Sequence, residues 1–254
     1  MPDYTPTEML VCLASRLMPD KTAVFIGTGI PMLAAALAKR TRAPDLLAVF
    51  EFGGMGSDLK ELPLAVGEER TFRGGIAAMG ICDVMEAAQR RLIGCGYLGG
   101  AQIDPYGNLN TTVIGPHDKP RVRLPGSGGG NDVASLCWQT IILMKHEKKR
   151  FLPKIDFVTS PGYLGSALGR ERAGLPADTG PYRVVTDLGL FDFPPKTRRM
   201  RLIALNPGIT AQQVVNETGF KLDIARNLTD NPPPSAEELR ILREEVDPQK
   251  IFSR

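Results

Sequence analysis

Among residues that do chemistry, this sequence is poorest in histidine: His117 and His146 are the two it has in 254 residues, and both stand in polar company. A Ser-His-Asp arrangement has little material to work with, so catalysis, if present, rests on other groups. Cysteine is almost as sparse. Cys12, Cys82, Cys95 and Cys137 lie far apart, with no Cys-x-x-Cys pair and no histidine nearby. That pattern argues for free thiols in a reducing compartment and against a zinc or other metal site. An excess of charge of one sign is also lacking. A net charge of +3 is too weak to imply nucleic acid, and the basic residues are spread out apart from one cluster, Lys145-His-Glu-Lys-Lys-Arg150. No apolar run reaches membrane-spanning length, and Met1-Pro2-Asp3-Tyr4 has neither the basic nor the apolar region of a leader. A cytoplasmic protein without a membrane partner is expected.

What is present suits an α/β protein. The length allows one large domain or two small ones. Without internal repeats, low-complexity segments or a shift in composition, a single domain over 1–254 is expected, with a helical extension at 230–254. Thr5-Pro-Thr-Glu8 reads as a capping box opening a helix. Thr22–Ile26 reads as a buried strand, and Gly27-Thr-Gly turns it into a helix over 32–40. That helix serves as the crossover laying strand 45–50 parallel to the first, which predicts an open, mainly parallel sheet flanked by helices. The Gly27-Thr-Gly turn lacks the third glycine of a dinucleotide fingerprint and the Gly-Lys-Ser/Thr of a phosphate loop, so a tight turn accounts for it.

Further strands are predicted at 95–104, 121–124, 140–144, 155–159, 183–188 and 200–205, and further helices after Asp83, Val133, Thr210 and Ser235. Pro105-Tyr-Gly-Asn108 is a turn signal, and Asp230-Asn-Pro-Pro-Pro234 a stiff connector that holds the last helix away.

Two stretches carry chemistry. In Asp45-Leu-Leu-Ala-Val-Phe-Glu51, five apolar residues deliver one acid into a glycine turn. At the carboxyl end of a buried strand, Glu51 faces the crevice where α/β sheets bind ligands, and loss of water makes it a candidate general base or nucleophile. A plain ion pair across the sheet is the competing reading. In Gly126-Ser-Gly-Gly-Gly-Asn131, four glycines in five residues precede a helix. Consecutive backbone N–H groups there suit an anion or a developing oxyanion, in preference to a linker. The glycines of Gly99-Gly-Ala-Gln102 admit both packing and the lining of a cleft. The basic run 145–150 reads as a solvated surface or as a holder of ligand phosphates.

Together, Glu51 with its glycines, Gly99-Gly-Ala-Gln-Ile-Asp-Pro-Tyr-Gly-Asn-Leu-Asn110 and the Gly126–Asn131 loop resemble the beta subunit of family I CoA-transferases, of the glutaconate CoA-transferase type. The likeness continues through Thr28-Gly-Ile-Pro31, Lys154–Gly162, Gly169-Arg-Glu-Arg172 and Glu244–Pro248, almost end to end. It implies that Glu51 attacks an acyl-CoA and carries CoA as a glutamyl thioester, and that Ser127, Gly128, Gly129, Gly130 and Asn131 bind the oxyanion and CoA. Phe52, Gly53, Gly99, Gly100 and Gln102 are assigned to the acyl pocket. Coenzyme A is a substrate, with no tightly bound cofactor, and a separate alpha subunit completes a heterodimer or heterotetramer. The acceptor is a carboxylic acid, possibly dicarboxylic. Where the family has Asn or Ser after the glutamate, this chain has Phe52, an apolar ring that reshapes the pocket. A CoA-ester hydrolase or lyase, with Glu51 as general base, is the alternative on the same fold.

Overall fold

The computed structural model describes residues 3–252; Met1 and Pro2, part of the segment in which no leader is expected, and Ser253 and Arg254 of the 230–254 extension lie outside the described residues. The chain divides into two compact units, Met1–Gly99 with Pro233–Arg254, and Gly100–Pro232.

The first unit starts with α1 (Pro6–Arg16). Its capping box forms as expected, Glu8 N donating to Thr5 Oγ1 and Thr5 N to Glu8 Oε2. Then come β1 (Ala23–Ile26), α2 (Ile30–Arg40), β2 (Leu47–Val49), β3 (Gly54–Met55), β4 (Ala77–Ala78), α3 (Ile81–Gln89) and β5 (Cys95–Gly99), the strands standing in the order β5-β1-β2-β3-β4. β1 is parallel to both β2 and β5, with α2 as the crossover; β3 and β4 add an antiparallel edge. Val24, Ile26, Leu33, Leu37, Phe50 and Tyr97 are fully buried, apolar side chains whose removal from water drives the packing.

The second unit opens with two antiparallel hairpins, β6 (Gln102–Ile103) with β7 (Leu109–Asn110), and β8 (Val113–Ile114) with β9 (Val122–Arg123). The turn predicted at Pro105–Asn108 forms because the Asp104 carboxylate accepts from Tyr106 N and Asn108 N. There follow α4 (Gly130–Leu136), β10 (Gln139–Leu143), α5 (Gly169–Arg172), β11 (Pro181–Val185), β12 (Gly189–Asp192), β13 (Arg201–Leu205), α6 (Ala211–Asn216) and β14 (Asp223–Asp230), the larger sheet running β14-β13-β12-β11-β10. β10–β11 and β13–β14 are parallel, and the pairs between them antiparallel. Helices on parallel strands thus recur as expected, with antiparallel strands added. The strand predicted at 155–159 is instead an irregular segment, in which Phe157 and Val158 are exposed. The strand predicted at 183–188 stops at Val185, because Thr186 Oγ1 accepts from Leu188 N and Gly189 N and turns the chain into β12.

His146 does not keep the polar company its sequence neighbours suggest. It is buried, stacked on Phe151 with ring centroids 3.8 Å apart, and its ring nitrogens meet Thr186 Oγ1 and Thr218 Oγ1. Burial pulls its pKa down to about 3.

The chain then returns to the first unit as α7 (Ala236–Ile241), capped by Ser235 and continued by a π-helical turn, Leu242–Val246. The connector does not hold this helix away. Arg16 forks onto the Glu238 carboxylate at 2.8 and 2.6 Å, and Arg243 onto that of Glu8 at 2.6 and 3.0 Å. The Arg243 guanidinium holds the Glu8 carboxyl below its ordinary value. Such bidentate pairs fix the angle between two elements as well as their distance.

Candidate active site

Glu51 sits at the carboxyl edge of the parallel strands, as expected, but in a turn and not on a buried strand. β2 ends at Val49, Phe50 is fully buried, and Phe50 N–H donates to Gly54 O while Gly53 N–H donates to Phe50 O, both at 2.9 Å. Glu51 and Phe52 are therefore the central residues of a tight turn leading into β3. Gly53 permits it with φ 106°, a left-handed conformation that side chains resist. The turn leaves Glu51 half-buried and Phe52, at 49%, exposed. Because β1, β2 and β5 are parallel, the Glu51 turn, the Gly27-Thr-Gly turn and Gly99 share one edge of this unit. That is the edge at which open α/β sheets take ligands.

The glycine-rich loop lies in the second unit and leads into α4, whose N-cap is Gly129. The left-handed positions are Gly126 (φ 98°) and Gly128 (φ 47°), while Gly129 is right-handed at −79°. Both ends of the loop are tied down. Gly126 N donates to Thr111 O and Thr111 Oγ1 to Gly126 O, at 2.8 and 2.7 Å. Asn131 Nδ2 donates to Thr159 O at 2.9 Å, and Thr159 Oγ1 in turn accepts from Thr111 N. Between the anchors, Ser127 and Gly128 are exposed and Gly129 is buried, while Gly130 N donates to Ser127 O at 2.8 Å, so the Gly130 amide is already committed. A loop with fixed ends can present its remaining amides without first having to be ordered.

The other predicted pocket residues divide. Gly99 is exposed, whereas a β-carbon on Gly100 would meet Leu109 Cδ2 at 3.0 Å, so packing accounts for Gly100. Gln102 is buried with its amide committed: Nε2 donates to Asp156 Oδ2 at 2.9 Å, and Oε1 accepts from Asn110 Nδ2 and Asp156 N. Gly115 N also donates to Asp156, and with Gln102 these hydrogen bonds hold its carboxyl below the ordinary value. The roles of Asp156, Thr111 and Thr159 cannot be read from neighbouring residues, since these residues bond to partners more than forty positions away.

Leu124, just before the glycine loop, lines a groove of about 670 Å³ together with Gln102, Val122, Asp156, Arg121 and Lys149. Apolar walls with a few cations suit an elongated, partly anionic ligand. Among the described residues no His, Cys, Asp or Glu cluster could hold a metal ion, and no helix is long and apolar enough to cross a membrane.

Both units are α/β: in the first a half-buried carboxylate stands at the sheet edge, and in the second a glycine-rich loop opens a helix. The family described as Coenzyme A transferase matches residues 7–217, and the chain belongs to that family. It is 40% identical to the B subunit of glutaconate CoA-transferase from Acidaminococcus fermentans, over 98% of this chain and 95% of that protein. It is 33% identical to the B subunit of 3-oxoadipate CoA-transferase from Pseudomonas knackmussii, over 96% and 94%. The crystal structure of the Acidaminococcus glutaconate CoA-transferase superposes with a TM-score of 0.93 at 38% identity, covering 99% of this chain and 98% of that one.

Proposed function

We propose that this chain is the beta subunit of a heteromeric CoA-transferase, that a separate alpha subunit completes the enzyme, and that Glu51 is its nucleophile. The observation that carries the reading is the Glu51 carboxylate, half-buried in a turn at the ligand-binding edge of parallel strands, in a chain of this family. A Glu51 oxygen attacks the thioester carbonyl carbon of the acyl-CoA. Collapse of the tetrahedral adduct expels the CoA thiolate and leaves an acyl–glutamyl anhydride. The thiolate then attacks the glutamyl carbonyl carbon, the donor acid leaves as its carboxylate, and CoA rests on Glu51 as a thioester. An acceptor carboxylate repeats both steps in reverse, so no electrons are exchanged and Glu51 is regenerated.

Each attack places negative charge on a carbonyl oxygen, and the Ser127 to Asn131 loop supplies amide donors for it, apart from Gly130, whose N–H is given to Ser127 O. Phe52, Gly53 and Gly99 border the acyl group. The groove beside Leu124 takes the phosphorylated end of CoA, with Arg121 and Lys149 facing its charge. Glutaconate and 3-oxoadipate, in the relatives' names, are dicarboxylic acids, and we read the same class of substrate here. Cys12, Cys95 and Cys137 are buried, and we place the protein in the cytoplasm, where thiols stay reduced.

The test is to incubate the assembled enzyme with an acyl-CoA and no acceptor, quench rapidly, and measure peptide masses. CoA mass on the peptide containing Glu51 is expected. Robust transfer with no adduct there would overturn the nucleophile assignment.

A further inference from the structure

The Gly169-Arg-Glu-Arg172 motif has no part in the chemistry above, yet it contains the most deeply buried cation of the second unit. Arg170 is 2% exposed. A charge taken that far from water normally finds a carboxylate, but every acceptor of Arg170 is a neutral oxygen. Nη2 donates to Ala134 O, Ser135 O and Thr179 Oγ1 at 3.0, 3.2 and 2.7 Å. Nη1 donates to Pro161 O and Gly162 O, both at 3.2 Å, and Nε to Thr179 Oγ1 at 3.2 Å. Burial lowers its pKa to about 10, which leaves it charged at neutral pH. Gly169 lets the side chain enter: a β-carbon there would fall on the Tyr163 carbonyl oxygen.

The four carbonyl acceptors belong to the two structures that hold the glycine-rich loop, and the hydroxyl of Thr179, just before β11, is the fifth acceptor. Ala134 and Ser135 lie in the last turn of α4, where carbonyls have no partner within the helix. Pro161 and Gly162 continue the segment whose Thr159 carbonyl anchors Asn131. One guanidinium therefore fastens the helix that leaves the loop to the strap that holds its last residue. The five donors of an arginine fork make this geometry; a lysine ammonium has three and no plane.

We propose that Arg170 is a positioning residue of the transferase, setting the loop amides of Ser127 to Asn131 at the distance the oxyanion requires. The role rests on the reading of that loop as the oxyanion donor. It predicts a loss in kcat without loss of substrate binding, since misplaced donors weaken the transition state more than the ground state.

The experiment compares wild type, Arg170→Lys and Thr179→Val in the complex with the alpha subunit, measuring kcat, KM for acyl-CoA and the melting temperature. A kcat lowered about tenfold to a hundredfold in Arg170→Lys, with KM within about twofold, is expected for donors displaced by a fraction of an ångström. Thr179→Val, which removes one accepting hydroxyl, should move kcat in the same direction by less. Arg201→Lys, which weakens the Arg201–Asp192 pair between β13 and β12, is the control for stability alone, and should lower the melting temperature and leave kcat unchanged. Wild-type kcat in both Arg170→Lys and Thr179→Val would overturn the proposal and leave Arg170 a brace of the fold. If the wild-type complex hydrolyses acyl-CoA instead of transferring CoA, the transferase reading fails, yet the same kcat response still supports the clamp, because both reactions pass through the thioester oxyanion.

Discussion

The carbonyl oxygen of Met79 occupies the place where Gly53 would carry a β-carbon, and Met79 N–H donates back to Gly53 O at 3.0 Å. β4 is thereby pressed onto the turn that holds Glu51. Gly53→Ala adds a clash with backbone to a left-handed strain, and neither can be relieved by turning a side chain. The expected result is a loss of about 3 kcal/mol or more of stability, read as a lower denaturant midpoint of the chain. A midpoint equal to wild type would mean that the turn can open without cost.

Gly128 is the sharper probe of the glycine-rich loop. It is exposed and left-handed, so Gly128→Ala strains the backbone by about 1–2 kcal/mol without entering a core. The loop should answer by moving its amides. Turnover is expected to fall by about two orders of magnitude, the cost of one missing oxyanion donor, while the melting temperature stays within a few degrees. An unchanged rate would return the loop to the status of a connector. Gly129, at φ −79°, carries no such left-handed strain.

The parts of the fold that are legible in the sequence are those set by nearby residues. The Thr5, Thr210 and Ser235 capping boxes, the Asp104 turn and the placing of Glu51 at a strand end all follow from neighbours along the chain. What is not legible depends on distant partners. Phe157 and Val158 imitate a strand, but their segment is held by Asp156 and Thr159 bonds to residues some fifty positions earlier. β14 is a polar run without alternation, and it forms because β13 offers it a ladder. In the sequence Arg170 looks like one of several surface arginines, because nothing near it announces the ring of carbonyl and hydroxyl oxygens that receives it.

The groove yields a test of how CoA is held. Arg121→Gln with Lys149→Gln removes two of its cations while keeping side-chain length similar. KM for an acyl-CoA should rise about tenfold, the order expected when a charge-assisted hydrogen bond is removed. An acyl-pantetheine, which lacks the nucleotide and its phosphates, should react equally well with both proteins. An equal rise for both substrates would place the phosphates elsewhere.

His146 makes the second unit sensitive to acid. Its folded pKa, about 3, lies below the ordinary histidine value, so between these limits the unfolded chain binds a proton that the folded chain does not. Stability is therefore full above about pH 6.5 and is lost as the pH falls toward 3. Lowering the pH from 7 to 5 should cost about 2 kcal/mol through this residue. His146→Phe keeps the stack on Phe151 and removes the titration, so urea midpoints measured at the two values should converge in that variant. Equal slopes in both proteins would assign the acid sensitivity to other groups.

Glu51 decides between transfer and hydrolysis. Its turn fixes the backbone through Phe50 and Gly53, so a change of side chain moves the carboxylate without moving its support. Glu51→Asp draws the oxygens back by one methylene, and a displacement on the order of 1 Å costs about a hundredfold in rate. Glu51→Gln keeps size and hydrogen bonding but cannot attack a thioester, and transfer should vanish with the melting temperature preserved. A nucleophile that holds CoA needs a second carboxylic acid to release it, so the wild-type complex should consume acyl-CoA in proportion to added acid and stall without it. A general base acting on water has no such need. Steady turnover with no acid present, abolished in Glu51→Gln, would identify a hydrolase built on the same carboxylate.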